Sequence, residues 1–339
     1  MIVVIGATGF IGMYVVDELV KSGKEVIATG RNERLAPALE RMGASFVRLD
    51  ITRPGDFDAL PTRGVEGVVL LAALLPANAK ADLVESENAA DYFVSNCLGT
   101  VNVLEWCRRN GIRKVISSCS YGDTSGAWGT GRAITEDEPR SFSFTGDHAM
   151  YVITKNAAND TIEYYNQQHG MQGAVFRFPP VYGVGPHGTI LVNGRPYKSG
   201  IQTFIERAQA GEDIELWGDP HIKRDIIYVK DVARAFRLAL ESDRTYGLYN
   251  MTSGTQLDLE DQARAVIEVF GAGKGSRIVY RPEKPNNTPS FLYSMEKAKR
   301  DFGFVPEYTD YVEMMRDYKK ELESGRWSDL EGSAAARAE

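Results

Sequence analysis

The chain has 339 residues, too long for one small module at roughly 100–200 residues per domain and suited to two domains or one core with a large insertion. Hydrophobic residues at 43%, charged residues at 25%, and 14 Phe, 16 Tyr and 4 Trp exclude a mainly disordered chain. With 39 basic and 46 acidic side chains the net charge is −7, so bulk charge favours neither nucleic acid nor an anionic membrane, and an anionic ligand must meet a local basic spot.

β-Branched runs at 2–6, 25–30, 45–50, 67–73, 114–118 and 173–178 alternate with helical patterns, which predicts an α/β fold built on a doubly wound parallel sheet. In the first helix Ile11, Val15 and Leu19 fall on one face, and Gly23 closes it. Longer helices are expected over 91–109 and 150–168. From 179 to 218 the pattern breaks into Pro/Gly-rich loop with a helical piece at 201–210; a strand at 225–229 and a helix at 232–240 rejoin the first domain. Further helices are expected at 259–270 and 295–302. The expected division is a dinucleotide-binding Rossmann-type domain at 1–178 with 219–247 returning to it, a smaller C-terminal α/β substrate-binding domain from 179–218 and 248–322, and a disordered tail at 323–339.

The first residues carry no charged leader, and the longest apolar run, 68–75, falls far short of the ~18 residues of a membrane span. Cys97, Cys107 and Cys119 are widely spaced without a C-x-x-C pair, so neither a disulfide framework nor a thiolate zinc site is expected, and a reducing, cytoplasmic setting fits. His148, His169, His187 and His221 form no ligand pair at helical spacing, so no catalytic metal is expected.

Between the first strand and first helix stands Gly6-Ala7-Thr8-Gly9-Phe10-Ile11-Gly12. Glycines there let the backbone turn tightly and approach a pyrophosphate, while the helix N-terminus supplies N–H donors. The competing reading is a turn needed only for packing. At the end of the second strand, where an acid would bond the adenosine ribose of NAD, the chain has Thr29-Gly30-Arg31-Asn32. The missing carboxylate and the following guanidinium favour NADP over NAD, with a solvated surface residue as the alternative reading of Arg31. Asp50 and Ile51 end the third strand and can hold the adenine, with a helix cap as the alternative for Asp50. Leu71, Ala72 and Ala73 after the fourth strand leave room for the cofactor to lie close.

Tyr151-Val152-Ile153-Thr154-Lys155 puts a phenol and an ammonium on one helical face. A neighbouring cation lowers a phenol pKa toward neutrality, so Tyr151 is a candidate proton donor, helped by Lys155. Upstream, Ser117-Ser118-Cys119-Ser120-Tyr121-Gly122 offers hydroxyl donors for a substrate oxygen.

Together with Asn96-x-x-Gly99-Thr100, RFPPVYGVGP at 177–186, RDIIYVKDVA at 224–233 and KAKRDFGFVP at 297–306, these motifs resemble the extended short-chain dehydrogenase/reductases, the NAD-dependent epimerase/dehydratase family. The resemblance implies Tyr151 as acid/base, Lys155 as the residue that holds the nicotinamide ribose and lowers the Tyr pKa, a Ser bonded to the reacting oxygen, and Asn96 in support. It also implies that Pro179 and Val181 line the cofactor and that two copies dimerise through the long helices. Counting back from Tyr121 selects Ser117; aligning the Ser-Ser pair from the strand side selects Ser118; Ser117 is preferred, with Ser118 placed at the substrate. Ser-Ser-Cys-x-Tyr has the spacing of the GDP-fucose synthase branch, whose Cys is an epimerisation base. Cys119 matches it, against the plainer reading of a buried small hydrophobe. The His of that branch has no match near 198–199, and His187 is the nearest candidate.

Several departures bear on the substrate. Pro180-Val181 stands where family members have Asn-Val, Leu70 replaces a frequent His, and the Asp-Glu pair of 4,6-dehydratases is absent after Ser117. Arg224 survives at the position of a diphosphate clamp, with an ion pair to Asp225 or Asp231 as its structural alternative. No second Arg occurs within 285–289. The reading is an NAD(P)-dependent oxidoreductase or epimerase acting at a carbinol or keto carbon of a nucleotide-activated sugar. A dehydrogenase of a non-nucleotide secondary alcohol and a non-catalytic dinucleotide-sensing protein are the alternatives.

Overall fold

The computed structural model describes residues 1–76, 88–146, 148–185, 189–192, 195–286 and 289–329. Seven parallel strands, Ile2–Ile5, Val26–Gly30, Ser45–Arg48, Gly67–Leu70, Lys114–Ser120, Gln172–Phe178 and Gly247–Asn250, form the sheet. Numbered in chain order they run 3-2-1-4-5-6-7 across it. The direction of winding reverses between strands 1 and 4, where an open α/β sheet leaves its ligand crevice.

Strand 1 explains the two-sided core. Ile2 and Val4 join the cluster built with Met13, Val16 and Phe236, from helices Phe10–Lys21 and Val229–Glu241. Val3 and Ile5 join the opposite cluster with Leu104, Ile162 and Tyr165, from helices Gly99–Arg109 and Ala149–His169. Alternate side chains of an extended strand point to opposite faces, so a strand buried on both faces reads as an unbroken apolar run.

The helix expected over 91–109 begins earlier and is not uniform: Ala89–Tyr92 leads into a π-helical turn at Phe93–Leu98 before the α-helix resumes at Gly99. Wide turns of this kind re-aim a side chain within a helix, here Asn96. Gly99 is required by the same passage, since a Cβ there would lie 2.5 Å from the Ile51 side chain. The expected strand at 225–229 is split into Arg224–Asp225 and Ile227–Tyr228, and Val229 already opens the following helix.

The cap carries a parallel strand pair, Ile214–Trp217 with Ile278–Arg281, and helices Gly200–Ala210, Leu259–Phe270, Glu296–Phe302 and Tyr311–Glu323. Its buried Ile205, Val266 and Met314 belong to the same apolar cluster as Met13 and Phe236, so the cap extends the Rossmann core instead of forming its own. A boundary at 247/248 cuts through the seventh strand, which runs to Asn250.

The expectation of a disordered tail from 323 fails for residues up to Asp329. Trp327 is 1% exposed, its ring stacks on Tyr14 at 3.9 Å between centroids, and its Nε1 donates to Glu321 at 2.6 Å. Arg326 pairs with Asp17, and Arg41 with Asp329 at 2.7 Å. The Ala/Ser/Gly-rich end hid one aromatic anchor whose burial holds the segment. Residues 330–339 lie outside the described ones. Removing the anchor by Trp327→Ala is expected to cost about 3–5 kcal/mol, read as a lower urea midpoint with unchanged slope; an unchanged midpoint would show that the segment carries no stability.

Candidate active site

The glycine turn is built by contact with backbone. Gly6 has φ +91°, and a Cβ on it would lie 2.5 Å from the Ala72 nitrogen; one on Gly12 would lie 2.2 Å from the Gly6 carbonyl oxygen. Helix Phe10–Lys21 starts at Gly9 with no side-chain cap and no acid in its first turn, so its leading amides keep their donors for an anion. The Phe10 ring turns to the cap junction, where it excludes a Cβ from Gly185 at 2.5 Å; its amide is what remains for a phosphate. Ile11 packs on the core.

Gly30 has a steric reason beyond the lost carboxylate. A Cβ there would meet the Thr8 hydroxyl at 2.3 Å, so Thr8, itself buried, fills the place of an acidic side chain. Arg31 is exposed and makes no ion pair among the described residues, while Asn32 caps the next turn by accepting from the Arg34 amide at 3.2 Å. Asp50 Oδ1 accepts from the Thr52 amide at 3.0 Å and hydroxyl at 2.8 Å. Partial burial raises this carboxyl, but the two Thr52 bonds and the nearby Arg31 and Arg53 charges outweigh it and hold the pKa below the usual value. The capping role is therefore occupied on one oxygen. Ile51 backs helix Gly99–Arg109, its carbonyl accepting from Asn102 at 2.8 Å.

Asn96 joins the cofactor side to the reactive pair. The Leu71 and Ala72 amides donate to the Ile5 carbonyl at 2.8 and 3.1 Å, and Leu74 exchanges two bonds with the Asn96 side chain at 2.7 and 3.2 Å. Asn96 Nδ2 also donates to Thr154 Oγ1 at 3.1 Å, one residue before Lys155. Segment 71–74, which includes Ala73, is thus pinned at both ends.

Lys155 is 4% exposed and has no hydrogen-bond partner among the described residues; burial lowers its pKa to about 8, against the opposing pull of Cys119 and Cys97. Tyr151 stands half-buried one turn away, and its pKa is raised, by burial first and then by Cys119, Tyr92 and Tyr121. Burial is the largest cause, so in the free protein the phenol pKa lies above its ordinary value, which corrects the expectation from the Tyr151–Lys155 pairing that it lies below. Desolvation dominates both groups, so the phenol stays protonated at neutral pH.

On the strand Lys114–Ser120, alternation places Ser117 on the same face as Val115 and Cys119, beneath helix Ala149–His169, and Ser118 on the other face. The buried Ser117 hydroxyl donates to the Leu70 carbonyl at 3.1 Å. Burial and the nearby Asp123 push the Cys119 thiol up to about 11, despite Arg177, Lys155 and a bond from Asn159, so it is no ready base in the free protein. Beneath it lies a group that the sequence reading missed, the Arg177–Asp123 ion pair at 2.8 Å, with Arg177 also bonded to Asn250 at 3.1 Å. Arg177 stood inside a quoted motif, but its partner 54 residues away had no sequence signal.

Arg224 has neither of the ion pairs that would make it structural. Asp225 is engaged by the Thr252 hydroxyl and the Tyr293 amide, and Asp231 by Arg234 and the amides of Glu307 and Tyr308. No carboxylate lies within ion-pair distance of Arg224 among the described residues. Its Nη2 donates to the Tyr182 hydroxyl at 2.9 Å, and its buried Nε has no partner among the described residues. Pro179 is buried, Val181 pairs with Ile227, and Pro180 supplies a carbonyl to the Ile227 amide at 3.1 Å. His187 lies outside the described residues. No group of three His, Cys, Asp or Glu among the described residues could hold a metal ion, and no helix there is long and apolar enough to cross a membrane.

The family model for the NAD dependent epimerase/dehydratase family matches residues 2–252. The chain belongs to this family. A dTDP-4-dehydro-6-deoxy-D-allose reductase from a Streptomyces species is 30% identical over 314 residues, covering 90% of this chain and 91% of the relative. The UDP-glucose 4-epimerase of Corynebacterium glutamicum is 26% identical over 334 residues, with 93% and 94% covered. Among solved structures, the Thermus thermophilus UDP-glucose 4-epimerase in complex with NAD is similar with a TM-score of 0.70 and 26% identity, covering 94% of this chain and 98% of that one. The Thermotoga maritima UDP-glucose 4-epimerase with UDP-glucose shares the fold at a TM-score of 0.76 and 24% identity, covering 95% and 98%.

The buried ammonium makes a stability prediction. Lys155 titrates at about 8 in the fold against an ordinary 10.5, so below pH 8 folding bears the full cost of burying the charge, and stability rises as pH climbs from about 8 to 10.5. Lys155→Met is expected to raise the unfolding free energy at pH 7, on the order of 3 kcal/mol, and to flatten that rise. Urea denaturation at pH 7 and 9.5 measures both, and equal stabilities of variant and parent at pH 7 would refute it.

Proposed function

We propose that this family member acts on a carbinol or keto carbon of a nucleotide-activated sugar, as an epimerase or reductase, with NADP favoured over NAD. The observation that carries the substrate class is Arg224, a guanidinium held in a largely enclosed place without a carboxylate. An enclosed cation without a counter-ion is costly, and a ligand anion that supplies two oxygens is the natural partner for its planar fork. The cap, drawn from 179–218 and the residues after Asn250, is proposed as the substrate-binding part.

The cradle at Gly6, Gly9 and Gly12, the uncapped helix N-terminus and the open strip 71–74 fit a dinucleotide, and exposed Arg31 is the residue proposed to meet a 2′-phosphate. When bound, the nicotinamide supplies or accepts the hydride. The residues supply the rest. Tyr151, protonated at neutral pH, delivers a proton to the oxygen of a keto carbon in the reducing direction, and must lose it in the oxidising one. Because burial holds the phenol pKa above its ordinary value in the free protein, positive charge brought by an oxidised cofactor would help to lower it. Lys155, with spare donors, holds the ribose. Ser117 shares the face of Tyr151 and orients the substrate oxygen by exchanging its bond to the Leu70 carbonyl for one to the substrate. Cys119, protonated at neutral pH, fits the packing reading better than that of an epimerisation base.

Thermal shift against NAD, NADP, UDP and dTDP tests this reading. NADP is expected to stabilise more than NAD, with Arg31→Ala reversing the order, and UDP or dTDP to stabilise the parent but not Arg224→Met. A parent that responds to neither nucleotide would overturn the substrate class. Retained NAD after purification would identify an epimerase; exchangeable NADPH with net turnover would identify a reductase.

Two copies are proposed to pair through the helical face that exposes Phe93, Val94 and Leu98, next to helix Ala149–His169 with its exposed Tyr164. Light scattering is expected to give twice the chain mass for the parent and the single-chain mass for Leu98→Asp; a monomeric parent refutes it. Three free cysteines suit a reducing, cytoplasmic setting.

A further inference from the structure

Arg224 is aimed by a relay that carries no charge. Its Nη2 donates to Tyr182 Oη at 2.9 Å; Tyr182 Oη donates to Gln262 Oε1 at 3.0 Å; Gln262 Nε2 is held by the Asp258 carbonyl at 3.2 Å. Gln262 is 2% exposed, on the inner face of cap helix Leu259–Phe270. Tyr182 belongs to the short strand Val181–Tyr182, which pairs with Ile227–Tyr228 directly after Arg224. The groups that act most strongly on Arg224 are phenols: the Tyr311 ring crosses that of Tyr182 at 6.2 Å, and Tyr121 lies within electrostatic reach. Tyr311 Oη and Arg224 Nε are both buried without partners among the described residues.

This is an unusual way to fix an enclosed arginine. Most of the other buried or half-buried arginines among the described residues are oriented by carboxylates, Arg177 by Asp123, Arg234 by Asp231 and Arg237 by Glu18, while half-buried Arg207 is held by the Asp213 main-chain carbonyl at 2.9 Å. A carboxylate orients a guanidinium but cancels its field. A phenol backed by an amide orients it and leaves the whole positive charge for whatever lies in front.

We infer that Tyr182 and Gln262 are positioning residues for anion binding, a neutral phenol–amide relay from the cap helix that aims Arg224 at the diphosphate of the substrate without neutralising it. The inference rests on the nucleotide-sugar reading. It also explains how one guanidinium could suffice where the 285–289 stretch offers no second arginine.

The test is a double-mutant cycle read as UDP and dTDP dissociation constants by calorimetry on the full chain, with dinucleotide affinity as the internal reference. Tyr182→Phe is expected to weaken the better nucleotide about ten-fold in the parent background, the size of one hydrogen bond to a charged group. It is expected to change binding less than two-fold in the Arg224→Met background. Gln262→Glu, which puts a carboxylate behind the phenol, is expected to weaken binding at least as much; Tyr182→Phe alone decides if that variant does not fold. A change under two-fold in the parent background, or the same loss in both, overturns the relay while the substrate reading stands. If Arg224→Met itself leaves nucleotide affinity unchanged, the substrate reading falls, and the relay with it.

Discussion

The site depends on how closely two stretches of backbone approach at the reversal of the sheet. Gly6 follows strand 1 and Leu71–Ala72 follow strand 4, and no atom beyond hydrogen fits on Gly6 between them. That contact leaves the Ile5 carbonyl bonded to both Leu71 and Ala72, which fixes segment 71–74; Asn96 reads its far end and passes the position to Thr154, and so to Lys155 and Tyr151. The glycine turn and the helix that carries Tyr151 and Lys155 are therefore set by one continuous line of contacts. A disturbance at either end is felt at the other, because a close-packed interior relaxes only partially.

The parallel sheet, its switch point and the helix carrying Tyr151 and Lys155 could all be read from the chain, because each rests on local periodicity or on glycines at fixed spacing. The strand of Gly247–Asn250 could not: GLYN carries little β-branched signal, and it becomes a strand only by lying beside Gln172–Phe178. Helix Tyr311–Glu323 was missed beyond the last motif. In the site, residue types were legible where a backbone pattern announced them, whereas partners were not. Ser117 and Ser118 differ by face on their strand, a distinction that counting from Tyr121 addresses only indirectly. Asp123 with Arg177, and Tyr182 with Gln262, are meetings across 54 and 80 residues that no local spacing foretells. The tail was misjudged because composition averages over an Ala-rich stretch, while one buried Trp decides whether it docks.

Charge is distributed unevenly. Most buried or half-buried cations are matched by acids: Lys230 meets both Asp317 and Glu321, Arg237 meets Glu18 and Glu241. Among the described residues Lys155 and Arg224 are left without carboxylates, at the two places proposed for a ligand's ribose and phosphates. In a chain of net charge −7, positive potential is concentrated by withholding partners from these two groups more than by adding basic residues. The depressed pKa of Lys155 measures what that arrangement costs before a ligand arrives.

The stack of Trp327 on Tyr14 joins residues 313 positions apart, so it also sets an order of events on the ribosome. At about 5–20 residues per second, the first helix is made roughly 15–60 s before the ring that covers it. During that interval Tyr14 stands without the ring that stacks on it. The nucleotide half must therefore hold itself together, or be held, until the last helix arrives, and closure of the whole fold is timed by its C-terminal segment.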